Sequence, residues 1–352
     1  RYSGTILTAD IIPHTSIEAH QPSWQQELAA AIRDPLTLLK RLEINPAHLD
    51  ASPAAQQTWS LRVPLPYVQR MTKGDINDPL LKQVLPLGAE LLTAPGFSGD
   101  PLGEEDANPI PGVVHKYHGR ALLIISPACA IHCRYCFRRH FPYEDNTLGR
   151  KEWQTALDYL ASDESISEVI YSGGDPLAAN DHFLLWITEQ IAAIPHIKRL
   201  RIHTRLPLVI PSRIDSSCLH WLTATRLKVV MVWHINHPNE IDQAVIQAAQ
   251  YLKRNGIELL NQSVLLKQVN DSTQTLVTLS EALFEAGIMP YYMHRLDKVA
   301  GAAHFAVSDD KVQQLQRELL RLLPGYLVPR FVCEQAGAAS KLALPLPIKA
   351  SI

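Results

Sequence analysis

The chain has little cysteine. Its 352 residues include five, clustered too unevenly for a secreted disulfide framework. It lacks an excess of either charge. The formal net charge is −2, so no basic surplus is available to attract a polyphosphate, and no nucleic-acid partner is expected. No apolar run approaches the length needed to cross a bilayer, so no membrane span is expected. Arg1–Asp10 lacks the charged-then-apolar pattern of a leader. These absences together point to a reducing, cytoplasmic setting. What the chain does have is apolar content, 46%. Over this length that can fill a large core, in one big barrel or in two domains.

Three of the five cysteines fall in one run, Cys129-Ala130-Ile131-His132-Cys133-Arg134-Tyr135-Cys136. The spacing C-x3-C-x2-C supplies three thiolates and no fourth. A structural zinc site uses four ligands in a closed tetrahedron. Here only His132 or His140 could complete one, and no second cysteine pair or paired histidine follows at zinc-finger distance. Three thiolates on a cubic iron–sulfur cluster instead leave one iron open, and the spacing differs from the common ferredoxin runs. With Tyr135 before the third cysteine, the run resembles that of the radical S-adenosylmethionine superfamily, whose open iron binds the methionine end of S-adenosylmethionine. The two remaining cysteines, Cys218 and Cys333, read as buried free thiols.

Residues 1–110 read as a mainly helical N-terminal domain. Helical patterns such as Trp24–Ile32 and Pro35–Leu42 alternate with Pro- and Gly-containing connectors, and the stretch 94–102 is rich in turns. From residue 121 a rhythm begins. Apolar strands are expected at Ala121–Ile125, Glu168–Ser172, Arg199–Thr204, Val229–Ile235, Glu258–Val264 and Tyr291–Leu296. Amphipathic helices are expected between and after them, at Asn239–Arg254, Ser272–Ala286 and Ser308–Leu323, each opened by a capping residue and closed by Gly or Pro. Six strand–helix units imply parallel βαβ crossovers, hence an α/β barrel or an open doubly wound sheet. The chain then divides into an N-terminal domain at 1–110, a barrel at 111–325 and a C-terminal segment at 326–352. Working residues in such folds lie at the carboxyl ends of strands, and the cysteine run follows the first strand.

Other polar runs end the later strands. Ser172-Gly173-Gly174-Asp175-Pro176 follows the second, and its glycines let backbone approach a ligand closely. Asp175 could accept bonds from an ammonium. The run resembles the Gly-Gly-Glu-type element that holds the methionine amino group in the superfamily. His203-Thr204-Arg205 ends the third strand and His234-Ile235-Asn236-His237 the fourth, while Asn261-Gln262-Ser263 lies on the fifth. His234 and Gln262 are candidate contacts to S-adenosylmethionine. One histidine at a strand end is commonly structural; several at successive ends fit a site better.

Along most of its length the chain resembles the lysine 2,3-aminomutase family, in particular the shorter bacterial type associated with elongation factor P modification. The residues that carry the likeness are Cys129–His140, Ser172–Pro176, His234–Glu240, Asn261–Leu266, Pro290–Asp297, Gly301–Phe305 and Gly325–Pro329. The resemblance implies a partial (β/α)6 radical-SAM barrel and three cofactors: a 4Fe-4S cluster on Cys129, Cys133 and Cys136, S-adenosyl-L-methionine, and pyridoxal 5′-phosphate bound as a Schiff base to Lys341. It implies that Lys116, Tyr117 and Arg120 hold the cofactor phosphate. It implies that Arg138 pairs with the carboxylate of the substrate and that Asp297 and Glu334 hold the distal ammonium of lysine. The activity implied is conversion of L-α-lysine to β-lysine by 2,3-migration of the amino group. A reductant would serve the cluster, and the product would supply elongation factor P through a separate ligase. The chain departs from the clostridial pattern in carrying Glu334 in place of Asp, and Ala and Ser in place of Gly before Lys341. A 2,3-aminomutase acting on arginine or glutamate is the alternative within the superfamily; a zinc-stabilised binding protein without catalysis is the alternative outside it.

Overall fold

The computed structural model describes residues 23–346. Nine strands form one sheet in sequence order: β1 (Val113–Tyr117), β2 (Arg120–Ser126), β3 (Glu168–Gly173), β4 (Arg199–Thr204), β5 (Lys228–His234), β6 (Glu258–Val264), β7 (Met289–His294), β8 (Arg330–Cys333) and β9 (Leu342–Ala343). Pairing is parallel from β2 through β8, and β1 and β9 close the two edges in antiparallel register. The sheet is an open, partial barrel, since no pairing joins β1 to β9 among the described residues.

The six expected strands are β2 through β7, and β4 and β6 have the expected bounds. Two features differ. Lys116–Arg120 was expected to precede the first strand; it is instead the turn of the β1–β2 hairpin, with Gly119 at φ +76°. A further parallel strand, β8, lies in the C-terminal segment. It pairs with β7 and delivers Glu334 to the same sheet end as Asp297. With only four residues it leaves no periodic signal in the sequence.

Helices Arg150–Ser162, Asp181–Ala192, Ser216–Thr223, Gln243–Arg254, Thr273–Glu285 and Asp309–Leu322 separate the parallel strands. Gln243–Arg254 buries Val245, Ala248, Ala249 and Leu252, a stripe at helical spacing. It starts four residues later than expected. Pro238–Glu240 forms a single 3-10 turn first, and Asp242 is the cap, accepting from the Val245 N–H at 2.9 Å. Ser272 caps the next helix as expected, accepting from the Thr275 N–H at 3.1 Å. At the chain start the expected helix at Trp24 ends at Ala29, because Ile32 exchanges both backbone bonds with Val63.

The N-terminal helices are short and pack into the barrel's own core. Trp24, Leu38, Leu39, Tyr67 and Leu80 belong to one apolar cluster with Leu123, Tyr171, Ile202 and Trp233. Cys218 is buried, whereas Cys333 is only half-buried. No helix among the described residues is long and apolar enough to cross a membrane.

Candidate active site

One cavity of about 770 Å³ collects the candidate residues. Cys129, Cys133, Cys136, Gly173, Gly174, Asp175, His234 and Gln262 line it, as do Lys116, Tyr117, Arg120, Arg138, Asp297, Glu334 and Lys341. Residues that span more than two hundred positions of sequence thus share one space.

The cysteine loop leaves β2 and is stitched to its surroundings through backbone. The Gly174 N–H donates to the Ser126 carbonyl at 2.7 Å and the Asp175 N–H to Ala128 at 2.8 Å. This approach explains the glycine pair. A Cβ on Gly173, at φ +118°, would sit 2.6 Å from the Ser126 oxygen, and one on Gly174 would sit 2.6 Å from the oxygens of Pro127 and Ala128. On the other side the His132 N–H donates to Arg62 at 3.0 Å and the Arg134 N–H to Gln83 at 2.9 Å. The fully buried Arg134 guanidinium donates to both Glu90 oxygens at 2.8 and 2.6 Å, and to the Trp59 carbonyl at 2.5 Å. The N-terminal segment therefore clamps the loop that carries the thiols.

The thiols stand as three separate corners. No group of three His, Cys, Asp or Glu side chains among the described residues is placed to hold a single metal ion. Burial pushes the Cys129 thiol well up, helped by its neighbours Cys136 and Asp175, and burial with Cys133 pushes Cys136 up to about 12. Such thiols ionise only against a metal or a cation. Arg205 donates Nη1 to the third sulfur, that of Cys133, at 2.6 Å. Three corners lining a cavity fit a cluster bound through three irons better than one zinc ion.

Asp175 requires a correction. Its carboxylate was expected to be free for an ammonium. Oδ1 accepts from the Thr204 hydroxyl at 2.7 Å and the Leu177 N–H at 3.0 Å, and Oδ2 from the Arg205 and Leu206 N–H groups at 2.7 and 2.9 Å. Those four bonds fill the carboxylate, so Asp175 fixes the β3–β4 ends and has no oxygen to spare. The Gly174 carbonyl, by contrast, accepts no bond among the described residues.

His234 is half-buried beside Tyr135, with their rings stacked at 5.7 Å and Nε2 3.1 Å from the hydroxyl. Burial, then the Arg205 charge, holds this imidazole well below its usual pKa. His237 faces elsewhere and accepts from the Asn239 N–H at 3.1 Å. The period-two pleat separates the β6 run: Gln262 lines the cavity, while Asn261 bonds Ile235 on the opposite face through 2.9 and 3.1 Å contacts.

On the far wall, Lys341 Nζ contacts Glu334 and lies 5.8 Å from the Tyr292 ring. The Tyr117 hydroxyl donates to the other Glu334 oxygen at 3.2 Å, and Arg120 lies 4.7 Å over the Tyr117 ring. Burial works to raise the Glu334 carboxyl; the Lys341 ammonium outweighs it and holds the group below its usual range. Burial and then the Glu334 charge raise Asp297 to about 7. Arg138 is buried and donates Nε and Nη2 to the two oxygens of Glu104 at 2.7 and 2.9 Å. Lys116 lies 3.5 Å from Glu104 as well. Glu104 sits in a turn-rich stretch without a motif, so nothing local in the sequence marks it. Tyr143, which donates to the Gly173 carbonyl at 2.9 Å, is equally silent.

Known proteins resemble this chain closely. The model of the Radical SAM superfamily matches residues 123–218. L-lysine 2,3-aminomutase of Escherichia coli K12 is 53% identical over 93% of this chain and 95% of its own length. The enzyme of the same name from Haemophilus influenzae is 50% identical over 94% of this chain and 98% of its own. That of Clostridium subterminale is 36% identical over 82% of this chain and 70% of its own.

Proposed function

The chain belongs to the lysine 2,3-aminomutase family of the radical SAM superfamily, and from that premise we propose how this cavity performs an amino-group migration on lysine with pyridoxal phosphate. It is an isomerase of the aminomutase type. Superfamily membership implies a 4Fe-4S cluster and S-adenosylmethionine. The observation that carries the reading is the shared cavity: three thiols on one wall, and Lys341 with two acids on the other.

Cys129, Cys133 and Cys136 would hold the cluster, and Arg205 positions the Cys133 sulfur through its 2.6 Å donation. The Gly174 carbonyl, His234 and Gln262 form the wall beside the thiols, where S-adenosylmethionine binds. Gly173 keeps that wall close by admitting the Ser126 backbone. Lys341 is the amine that holds pyridoxal phosphate, whose imine chemistry lets the nitrogen pass between neighbouring carbons. Lys116 and Arg120 supply cations for its phosphate, and Tyr117 braces the Arg120 face. Arg138 receives the carboxylate of lysine. Asp297 and Glu334 receive its distal ammonium, and the Lys341–Glu334 contact opens when the cofactor occupies Lys341. The nitrogen moves from C2 to C3 while one hydrogen moves from C3 to C2, so atoms and electrons balance without an external oxidant. Around these groups the protein must exclude water and hold the reacting carbon near the adenosyl carbon.

Two acids beside Lys341 would repel a glutamate side chain. Arginine carries a distal cation too, so product analysis must separate it. An anaerobic assay with S-adenosylmethionine, pyridoxal phosphate, a reductant and each of lysine, arginine and glutamate should yield β-lysine as the dominant product. Turnover of another amino acid with none of lysine would overturn the substrate assignment. The near full-length likeness to the shorter bacterial relatives supports supply of β-lysine to elongation factor P through a ligase, in a reducing cytoplasm. Loss of β-lysyl mass from elongation factor P on deletion of the gene would test that link. We further take 1–110 as a mainly helical N-terminal domain, 111–325 as the catalytic partial barrel and 326–352 as the C-terminal segment that carries Lys341.

A further inference from the structure

Arg138 is bonded more fully than a receptor for an incoming carboxylate should be. Nε and Nη2 each donate to one oxygen of Glu104, at 2.7 and 2.9 Å. Nη1 donates to the Ser172 hydroxyl at 2.8 Å and to the Gly173 carbonyl at 3.4 Å. A guanidinium so engaged has one N–H left, whereas two-point reception of a carboxylate needs two. Ser172 and Gly173 end β3, and the parallel ladder and the cysteine loop fix them. Glu104 is placed differently. It rides on the loop that begins at Asp100, whose carboxylate accepts from the Glu104 and Glu105 N–H groups at 3.1 and 3.2 Å. Before that loop Ser98 exchanges backbone bonds with Lys298 and Ala300 at 2.9 and 2.8 Å, and after it the Ala107 carbonyl accepts from the His115 N–H at 2.8 Å.

We infer that Glu104 is a built-in competitor for the substrate carboxylate, an affinity-setting residue that yields one edge of Arg138 only to a ligand carrying its own carboxylate. The inference rests on the reading of Arg138 given above. Exchange of one carboxylate for another leaves the charge around the buried guanidinium unchanged, which avoids the large cost of an unpaired buried ion. Lys116 lies 3.5 Å from the same acid, beside the edge that would be exchanged. An amine without a carboxylate offers no such exchange, so it leaves the pair intact. The acid therefore lowers affinity for the carboxylate-bearing substrate, leaves that for simple amines unchanged, and so narrows the gap between them.

The test is a binding titration on protein reconstituted with cluster and pyridoxal phosphate, with S-adenosylmethionine withheld so that nothing turns over. Lysine is compared with 1,5-diaminopentane, which lacks the carboxylate. Glu104→Gln keeps the size but removes the charge. The lysine dissociation constant should fall about five- to tenfold, the difference between a charged and a neutral acceptor, and that of the diamine should stay within about twofold. Glu104→Asp keeps the charge but reaches Arg138 with one oxygen. It should give a smaller gain in the same direction, and it carries the test if the glutamine variant does not fold. Unchanged or weaker lysine binding in the variants that fold would overturn the inference, since a merely structural partner of Arg138 predicts that result. Arg138→Met separates this failure from failure of the underlying reading. If the preference for lysine over the diamine survives in Arg138→Met, Arg138 is not the carboxylate receptor. If it vanishes there while the Glu104 variants bind no tighter, only the competitor role is lost.

Discussion

The two walls of the cavity hold their charges in different ways. At the cysteine wall the ions are locked. Arg134 and Glu90 are buried together, and Arg139 joins them at 3.0 Å. Backbone bonds from Arg62, Gln83, Ser126 and Ala128 fix the loop between them. No ligand can replace such partners without unfolding the loop. At the lysine wall Asp297, Glu334 and Lys341 sit beyond the ends of β7 and β8, and the positive groups pair with acids that a substrate or cofactor can replace. The wall proposed to generate the radical is thus preorganised by structure, and the wall proposed to recognise the substrate is organised by exchangeable charge.

The largest break in that comparison should come from the cysteines. Cys133→Ala leaves two thiolates, which cannot hold the cubane; iron and sulfide analysis after anaerobic reconstitution should show loss of the cluster, and retained cluster absorbance would remove the assignment. Next comes the clamp. Glu90→Ala strands two buried guanidinium groups and should cost about 3–5 kcal/mol, read as a lower midpoint in urea. A change within about 0.5 kcal/mol would mean that the wall is not locked by this pair. On the opposite wall Lys341→Ala should abolish the visible absorbance of lysine-bound cofactor while leaving the urea midpoint within about 1 kcal/mol. A large loss of stability there would erase the contrast between the walls.

The smallest effect is a pH dependence. Burial and Glu334 raise Asp297 to about 7, while the distal ammonium of lysine stays charged well above that. Only ionised Asp297 attracts the ammonium, so KM for lysine should fall as pH rises through about 7, and Asp297→Asn should flatten the profile. The sign for stability is opposite. A raised carboxyl pKa means that the folded protein binds the proton more tightly than the unfolded chain, so Asp297 costs stability progressively between its ordinary range and about pH 7. Asp297→Asn should therefore stabilise the protein at neutral pH more than at acid pH.

Much of this was legible in the sequence because its signals are local. The apolar runs of β4 and β6 and the stripe of Gln243–Arg254 repeat at strand and helix periods, and the cysteine triplet is confined to one loop. What stayed hidden depends on distant partners. Glu104 meets Arg138 across 34 positions and Glu90 meets Arg134 across 44, and no spacing rule links such pairs. Asp175 was misjudged for the same reason. The Gly-Gly-Asp run is visible, but the Thr204, Arg205 and Leu206 groups that fill its carboxylate come from the next strand. β8 was missed because four residues are too few to show a period.

The central claim is that both walls act on one lysine within one cavity. It is tested most directly with lysine deuterated at C3, incubated anaerobically with S-adenosylmethionine, pyridoxal phosphate and a reductant. Mass spectrometry of the products then follows the label. The account predicts deuterium at C2 of β-lysine and at the adenosyl carbon of the S-adenosylmethionine recovered. Formation of β-lysine with no deuterium in the recovered S-adenosylmethionine would contradict it, because the hydrogen would then have moved without the cysteine wall.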